Sequence, residues 1–166
     1  MHKTAKPRSS NQEWFFEDYQ EETVIEFGPV YVEKDELIEF ALRYDPQPMH
    51  IDYESAKKGP YKGLIASGWQ TCALVMRELV KNFYSPSSSL GSPGIDELQW
   101  LKPVRPGDML TVRATILETK LSRSKPDRGI VITLVEAFNQ QQEKVVSFKA
   151  LNFMLRRESS SEKILN

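Results

Sequence analysis

Asp45 and His50 are the pair of side chains best suited to proton chemistry in this chain of 166 residues. A carboxylate accepts protons, and an imidazole, with an unperturbed pKa of about 6.5, exchanges them at physiological pH. His50 is the only histidine beyond the N-terminal stretch that carries His2. The two residue types favour a site that moves a proton. A turn aspartate beside a hydrogen-bonded structural histidine is the alternative when these residues are taken alone.

Two prolines determine the shape of the loop that carries this pair. Pro46 and Pro48 each fix their own φ and disfavour the helical region for the residue before them, so Asp45 and Gln47 are predicted to be extended or in turns. A straight path of about 3.1 Å per residue would separate Asp45 from His50 by roughly 15 Å. We therefore expect the segment to bend back, beginning with a type I turn at Asp45, if both side chains act on one water molecule.

A long helix is predicted to begin at Ser67 and Gly68, close in sequence to this loop. Ser67 followed by Gln70 has the spacing of a capping box. Gly68 has no side chain, so a ligand carbonyl can approach backbone N–H groups at the positive end of the helix macrodipole. The helix is expected to be buried along one broad apolar face, formed by Trp69, Cys72, Ala73, Met76, Leu79, Val80 and Phe83.

The elements around these segments indicate an α+β fold. Helices are predicted at about 34–42 and 52–58, and the central helix from residue 68 to about residue 83. Strands are predicted at 23–27, where Gly28 and Pro29 stop the strand, and at 98–102, 109–117, 130–138 and 145–155. Short polar connections between the last strands imply an antiparallel meander. One long apolar helix lying across a curved antiparallel sheet fits this order.

A single domain spanning residues 1–166 is expected from the length of the chain. Residues 1–12 and 159–166 are predicted to be flexible ends. Between them, an aromatic cluster is predicted to cover the core, with a partner subunit as the alternative surface, and its members are Trp14, Phe15, Phe16 and Tyr19. A charged fraction of 27% and a net charge of −1 argue against a dedicated nucleic-acid binder. No segment approaches the roughly 20 apolar residues of a membrane span, so no membrane partner is expected.

Metal and cofactor chemistry find no support in the sequence. The single cysteine, Cys72, permits no internal disulfide and is predicted to be a packed thiol in a cytoplasmic protein. A metal site needs clustered Cys, His or carboxylate ligands, and their absence from the sequence pattern predicts no metal. GxSxG, GxGxxG and GxxxxGK[ST] motifs are also missing, so neither a serine hydrolase site nor a nucleotide cofactor is predicted.

The segment YDPQPMH, residues 44–50, resembles the signature of the MaoC-like dehydratases and (R)-specific enoyl-CoA hydratases. That signature is Gly-Asp-x-Asn-Pro-(apolar)-His, and its aspartate, proline and histidine match at identical spacing. Tyr44 replaces the glycine of the family and Gln47 its asparagine, which indicates a variant subgroup.

Two further segments are similar to the same family. GLIASGW, residues 63–69, is similar to the start of its central helix, and LQWLKPVRPGD, residues 98–108, to its strand, proline-rich turn and Gly-Asp. Together the matches cover most of residues 30–115. The resemblance implies a single hot-dog domain, in which a curved antiparallel sheet wraps a long central helix. It also implies a homodimer or a higher oligomer built of dimers.

The function implied by the resemblance is the reversible addition of water to the 2,3 double bond of an acyl-CoA or related acyl thioester, without a cofactor. Asp45 and His50 would activate the water, and the Gly68 N–H at the helix start would bind the thioester carbonyl. Ser67 would be a further substrate-binding residue. Gln47 would assist by hydrogen bonding. The alternatives are a hot-dog acyl-CoA thioesterase and a non-catalytic acyl-thioester binding subunit, the latter suggested by Tyr44 in place of glycine.

Two groups of residues bear on the substrate without deciding it. The basic cluster of Lys57, Lys58 and Lys62 is either a solvated surface or a contact for the phosphates of coenzyme A. The apolar side chains of Trp69, Met76 and Trp100 either line an acyl tunnel or fill the core, and we expect the core for each. The sequence leaves the length and branching of the acyl group and the identity of its carrier open.

Overall fold

The main element of this computed structural model, which describes residues 3–157, is one six-stranded sheet. The strands are β1 (Lys3–Ala5), β2 (Thr23–Tyr31), β3 (Gly94–Trp100), β4 (Met109–Leu121), β5 (Arg128–Phe138) and β6 (Lys144–Leu155). Their order across the sheet is β1-β2-β4-β5-β6-β3. All neighbouring strands are antiparallel except β1, which runs parallel to β2. The α+β class and the meander of the last three strands are therefore confirmed.

The helices lie before β3 in the chain. A short 3-10 helix (Phe16–Asp18) is followed by α1 (Lys34–Tyr44), α2 (Pro48–Ile51), α3 (Tyr53–Lys58) and α4 (Gly68–Asn82). Leu74, Val75 and Leu79 of α4 form one core with inward-facing residues of the strands, such as Val112 and Val135. This is the expected arrangement of a sheet around a long central helix. Within the described range, every helix is too short or too polar to cross a membrane.

The buried face of α4 differs from the predicted one. The residues that it buries are Gln70, Thr71, Leu74, Val75, Glu78 and Leu79. By contrast, Trp69, Met76 and Val80 expose 58%, 41% and 47% of their surface. Apolar residues occur on both sides of this helix, so the period of the sequence does not decide which side meets the sheet. The structure leaves an exposed stripe on α4, formed by Trp69, Ala73, Met76 and Val80.

β2 continues past its predicted stop at Gly28 and Pro29. Its pairing with β4 shifts register between Phe27 and Val30, so Gly28 and Pro29 form a bulge within the strand. Gly28 has a φ of +112° in this bulge, and a Cβ there would lie 2.8 Å from the carbonyl oxygen of Leu110. The Gly-Pro pair thus marks an irregularity of the strand and not its end.

The N-terminal segment is attached to the domain from residue 3 onward, unlike the flexible end expected at 1–12. β1 pairs with β2, and Arg8 is only 6% exposed. The Arg8 guanidinium donates to the carbonyls of Val80 and Lys81, both at 3.1 Å, and to those of Ser9 and Gln12 at 3.0 and 2.9 Å. Arg8 therefore caps the C-terminal end of α4, where carbonyls lack intrahelical partners and the macrodipole is negative. The flexible end expected at 159–166 lies outside the described residues.

The aromatic cluster after this segment covers the core, as predicted. Phe15 and Tyr19 are buried, and the Trp14 ring packs edge-on against the ring of Tyr19. Phe16 lies on β5, where a Cβ at Gly129 would come within 2.2 Å of its ring. A side chain at position 129 would therefore displace the cluster from the sheet.

Arg8→Met is expected to lower the free energy of unfolding by about 2 kcal/mol, because it removes the hydrogen bonds that the buried, charged guanidinium donates to the end of α4. Urea unfolding followed by circular dichroism measures this difference. Lys6→Ala is the matched control, because Lys6 is an exposed cation two residues away. Equal losses in the two variants would assign the effect to net charge and contradict the role of Arg8 as a cap.

Candidate active site

Asp45 and His50 meet across a tight bend between α1 and α2. Oδ2 of Asp45 lies 3.4 Å from Nε2 of His50. The Gln47 N–H donates to the Asp45 carbonyl at 2.8 Å, and the His50 N–H donates to the Gln47 carbonyl at 2.9 Å. Asp45 and Gln47 are both non-helical, as the prolines predict. The predicted bend is present, but it closes over fewer residues than the type I turn that was expected.

His50 is held in one orientation at the inner side of this bend. Its side chain is buried, and Nδ1 lies 2.8 Å from the carbonyl oxygen of Ile65. A carbonyl oxygen only accepts hydrogen bonds, so Nδ1 carries a proton in this contact. Nε2 is therefore the nitrogen that remains to exchange a proton, and it faces Asp45.

The carboxylate of Asp45 is fixed by two side-chain donors in addition to the imidazole. Ser67 Oγ donates to Oδ2 at 2.6 Å, and Gln47 Nε2 donates to Oδ1 at 2.7 Å. The bond from Ser67 first, then the bond from Gln47, and finally the charge of a protonated His50 lower the pKa of Asp45, while desolvation opposes them. Asp45 is therefore ionised at neutral pH.

Ser67 connects this carboxylate to the start of α4. Its Oγ also accepts the N–H of Trp69 at 3.3 Å, so a single hydroxyl caps the helix and holds Asp45. The predicted capping box does not form. Gln70 lies on the buried face of α4, and its Oε1 has no hydrogen-bond donor within the described part of the chain. A glutamine that points into the core cannot reach back to the N–H of Ser67.

Gly68 begins α4 in close contact with Trp100, the last residue of β3. Trp100 Nε1 donates to the carbonyl of Gly68 at 2.9 Å. A Cβ at position 68 would lie 2.4 Å from ring atom Cε2 of Trp100. Gly68 therefore also allows the close packing of α4 against Trp100, a partner that the sequence did not reveal. As a group of the first helical turn, the Gly68 N–H has no acceptor inside the helix.

A cavity of about 500 Å³ connects these groups, and its volume is typical of small-molecule sites. Asp45, Gln47, His50 and Gly68 all line it. Ser67 is fully buried behind Asp45, so its contact is with the carboxylate and not with the cavity. The remaining lining residues are Met49, Tyr61, Ile65, Ala66, Trp69, Thr71, Trp100, Leu101, Lys102, Pro103 and Val104.

Tyr44, which replaces the glycine of the family motif, lies away from this cavity. Its side chain is 66% exposed, and its ring packs on Phe40 with the centroids 5.0 Å apart. It is not among the lining residues. The substitution therefore leaves the space between Asp45 and His50 unobstructed.

The described residues offer no group of three His, Cys, Asp or Glu side chains arranged to hold a metal ion. Cys72 is half-buried, and burial raises the pKa of its thiol. A protonated thiol is a weak nucleophile, in agreement with the packed thiol predicted for this position.

A sheet wrapped around one long helix is the hot-dog architecture, and in this chain an Asp–His pair lies beside the start of that helix. The chain belongs to the MaoC-like domain family, whose model matches residues 16–137. It is 37% identical to the MaoC-like dehydratase structure from Rhodospirillum rubrum, which superposes with a TM-score of 0.77 over 87% of this chain and 98% of that one.

Two further relatives extend this comparison. The unliganded (R)-hydratase PhaJ1 from Pseudomonas aeruginosa is 25% identical, with a TM-score of 0.69 over 85% of this chain and 84% of that one. The uncharacterized protein YdeM of Bacillus subtilis (strain 168) is 33% identical over 114 residues, which make up 69% of this chain and 79% of YdeM. The family resemblance found in the sequence is thereby confirmed.

Proposed function

We propose that this protein is an acyl-thioester hydratase or dehydratase that adds water reversibly to the 2,3 double bond of an enoyl-CoA or related thioester. The observation that carries the proposal is the 3.4 Å approach of Asp45 Oδ2 to His50 Nε2, at the wall of a cavity that also reaches Gly68. Hydration requires a proton acceptor for water, a proton donor for carbon and a hydrogen-bond donor for the carbonyl. Membership of the MaoC-like family supports the same class of reaction.

In the proposed step, the water oxygen bonds to C3 of the thioester while one proton of the water passes to the Asp45–His50 pair. The pair delivers a proton to C2, so both parts of the water are added and the pair returns to its original charge. Between these events, negative charge develops on the thioester oxygen, and the Gly68 N–H donates to it. Dehydration is the reverse of this sequence.

Coenzyme A is the carrier that we propose for the acyl group. Tyr61 lines the cavity, and three exposed lysines lie near Tyr61 in the sequence, namely Lys57, Lys58 and Lys62. Their positive charges suit the phosphates of this carrier. The cytoplasm, inferred from cysteine usage, stays a prediction.

Hydration of crotonyl-CoA and hydrolysis of a saturated acyl-CoA, measured in parallel, test the proposal. Hydration without hydrolysis is the expected result. Hydrolysis alone would establish the thioesterase alternative, and binding without either reaction would establish a non-catalytic subunit. The position of Tyr44 outside the cavity removes the sequence argument for the latter.

Ser67→Ala is expected to move the acidic limb of the kcat/KM profile to higher pH. The Ser67 hydrogen bond is the largest cause of the lowered pKa of Asp45, and the reaction requires this carboxylate to be ionised in the free enzyme. Without the bond, the pKa rises toward its ordinary value, and activity is lost earlier as pH falls. Hydration rates between about pH 3 and pH 7 measure the shift. Ser92→Ala, in an exposed loop, is the control, and an unmoved limb in Ser67→Ala would contradict this role.

We also propose a homodimer that forms through the edge strand β3 and the exposed stripe on α4. β3 has a neighbour on one side only, and Ile95 exposes 39% of its surface. The contact between the rings of Trp69 and Trp100 joins the stripe to this strand, so the two form one continuous surface. An unpaired edge beside apolar residues is suited to a second copy of the chain.

Light scattering after size exclusion is expected to give twice the chain mass of 19.1 kDa at micromolar concentration. Met76→Glu places a charge in the exposed stripe and is expected to shift the protein to monomer. Leu121→Glu is the control, because Leu121 is 57% exposed but lies on β4, three strands from β3. A wild-type protein that is monomeric would contradict the dimer.

A further inference from the structure

Trp69 and Trp100 lie outside the core, although the sequence led us to expect both inside it. They expose 58% and 47% of their surface, yet both line the cavity that contains Asp45 and His50. Met76, for which the same question arose, is 41% exposed and is not a lining residue. The outer surface of these residues belongs to the proposed dimer contact, but the surface that both indoles present to the cavity is available to a ligand.

Three contacts fix the indole of Trp100 at this wall. Its Nε1 donates to the Gly68 carbonyl at 2.9 Å. Its ring rests directly on Gly68, where a Cβ would lie 2.4 Å from Cε2. The ring of Trp69 packs against it edge-on, with centroids 5.3 Å apart and planes at 78°. Because a hydrogen bond, a backbone surface and a second indole all hold it, the ring forms a rigid boundary of the cavity.

The position of this boundary relates it to the acyl group. In the proposed function, on which this argument rests, the thioester carbonyl binds at the Gly68 N–H and C3 lies at the Asp45–His50 pair. The tail beyond C3 then continues into a cavity bounded by the two indoles and, elsewhere, by Ile65 and Ala66. Contact with indole faces buries an apolar tail favourably. A tail too long for this space must displace a ring that three contacts hold in place.

We infer that the Trp69–Trp100 pair sets the maximum length of the acyl group, so that the protein accepts short acyl chains and discriminates against longer ones. Trp100 is the main determinant, because its indole is bonded to the helix that binds the carbonyl. Trp69 supports it through the edge-on ring contact.

The ratio of kcat/KM for octenoyl-CoA to kcat/KM for crotonyl-CoA tests this inference. Wild type is expected to favour crotonyl-CoA, and Trp100→Ala is expected to raise the ratio by about 10-fold or more, since a methylene group changes kcat/KM by about 10- to 200-fold in an apolar pocket. Trp69→Ala should raise it less. Trp100→Phe keeps a ring but loses the Nε1–H bond, and should give an intermediate ratio.

Leu42→Ala is the matched control, because Leu42 is 60% exposed but does not line the cavity. Its ratio is expected to equal that of wild type. An unchanged ratio in both folded tryptophan-to-alanine variants would overturn the inference. If Trp100→Ala fails to fold, Trp69→Ala and Trp100→Phe carry the same test.

Binding distinguishes failure of this inference from failure of the proposed function. A wild-type protein that does not hydrate crotonyl-CoA would overturn the hydratase proposal, and the wall would then be tested with saturated butyryl-CoA and octanoyl-CoA by calorimetry. If Trp100→Ala binds octanoyl-CoA more tightly relative to butyryl-CoA than wild type does, the length limit set by the Trp69–Trp100 pair is supported. An unchanged ratio of the two Kd values overturns it. Light scattering on each variant shows whether the dimer is kept. A change in chain-length preference that occurs only with loss of the dimer would also overturn the inference.

Discussion

Asp45→Asn and His50→Gln are each expected to lower turnover by about 10²- to 10⁴-fold, the usual range for general acid–base catalysis. Both substitutions keep the approximate shape of the side chain while removing its proton chemistry. Asp52, the nearest other acid in the segment, caps α3 by accepting the Ser55 N–H at 2.7 Å and cannot replace Asp45. Steady-state hydration of crotonyl-CoA measures the loss, and circular dichroism verifies folding. Asp52→Asn is the matched control, with turnover expected to stay close to that of wild type.

The double variant of Asp45 and His50 is expected to be little slower than either single variant. Residues that act as one unit on one water molecule give strongly non-additive losses. Multiplicative losses would instead give the two side chains separate tasks. Wild-type turnover in a folded His50→Gln protein would contradict the proposed mechanism and favour a thioesterase or a binding subunit.

Gly68→Val is expected to lower kcat by about 10²- to 10³-fold, the effect of losing one donor to a developing oxyanion. The valine side chain blocks the approach of the thioester carbonyl to the N–H at position 68, and its Cβ would also lie 2.4 Å from the Trp100 ring. Because this contact lies at the surface of the protein, where Trp100 is 47% exposed, the core packing of α4 is kept and the chain is expected to remain folded. Hydration kinetics and thermal unfolding, measured together, separate the two effects.

Trp100→Ala provides a background in which the space beside position 68 is open. If the thioester approaches the backbone of Gly68, the loss caused by Gly68→Val persists in that background, because the valine side chain blocks the approach. Recovery to the turnover of Trp100→Ala alone would show that the glycine serves packing only. A folded Gly68→Val protein with unchanged kinetics would also contradict the carbonyl-binding assignment.

The parts of the fold that local chemistry dictates were predicted well. α3 begins after its Asp52 cap and ends before Gly59, and β5 and β6 follow the alternation of apolar residues. The cap on α4 formed by Arg8 was not predicted, because Arg8 lies 72 residues from Val80 in sequence. The prediction of the buried face of α4 was wrong. Apolar side chains occur on both sides of the helix, and packing against the sheet determines which side is buried.

In the candidate site too, features set by nearby residues were predicted and contacts between distant residues were not. The types and spacing of Asp45, His50 and Gly68 were enough to place them in one cavity. The bonds that fix them were not foreseen, since Ser67 and Asp45 are 22 residues apart and Trp100 and Gly68 are 32 apart. Serine hydroxyls and indole N–H groups have many possible acceptors, and no local pattern names the one that folding selects.

Segment 65–68 holds the residues of the proposed active site in position. The Ile65 carbonyl accepts from His50, the Ile65 N–H donates to Met49, and the Ser67 hydroxyl donates to Asp45. These bonds align two stretches of chain side by side, with Gly68 directly following. A shift of one residue between the two stretches would move every donor about 3.3 Å from its acceptor. The shift would therefore misplace Asp45, His50 and Gly68 together. Residues 51–64 connect the two stretches. Substitutions and changes of length in this connection are expected to be tolerated only where they keep the alignment.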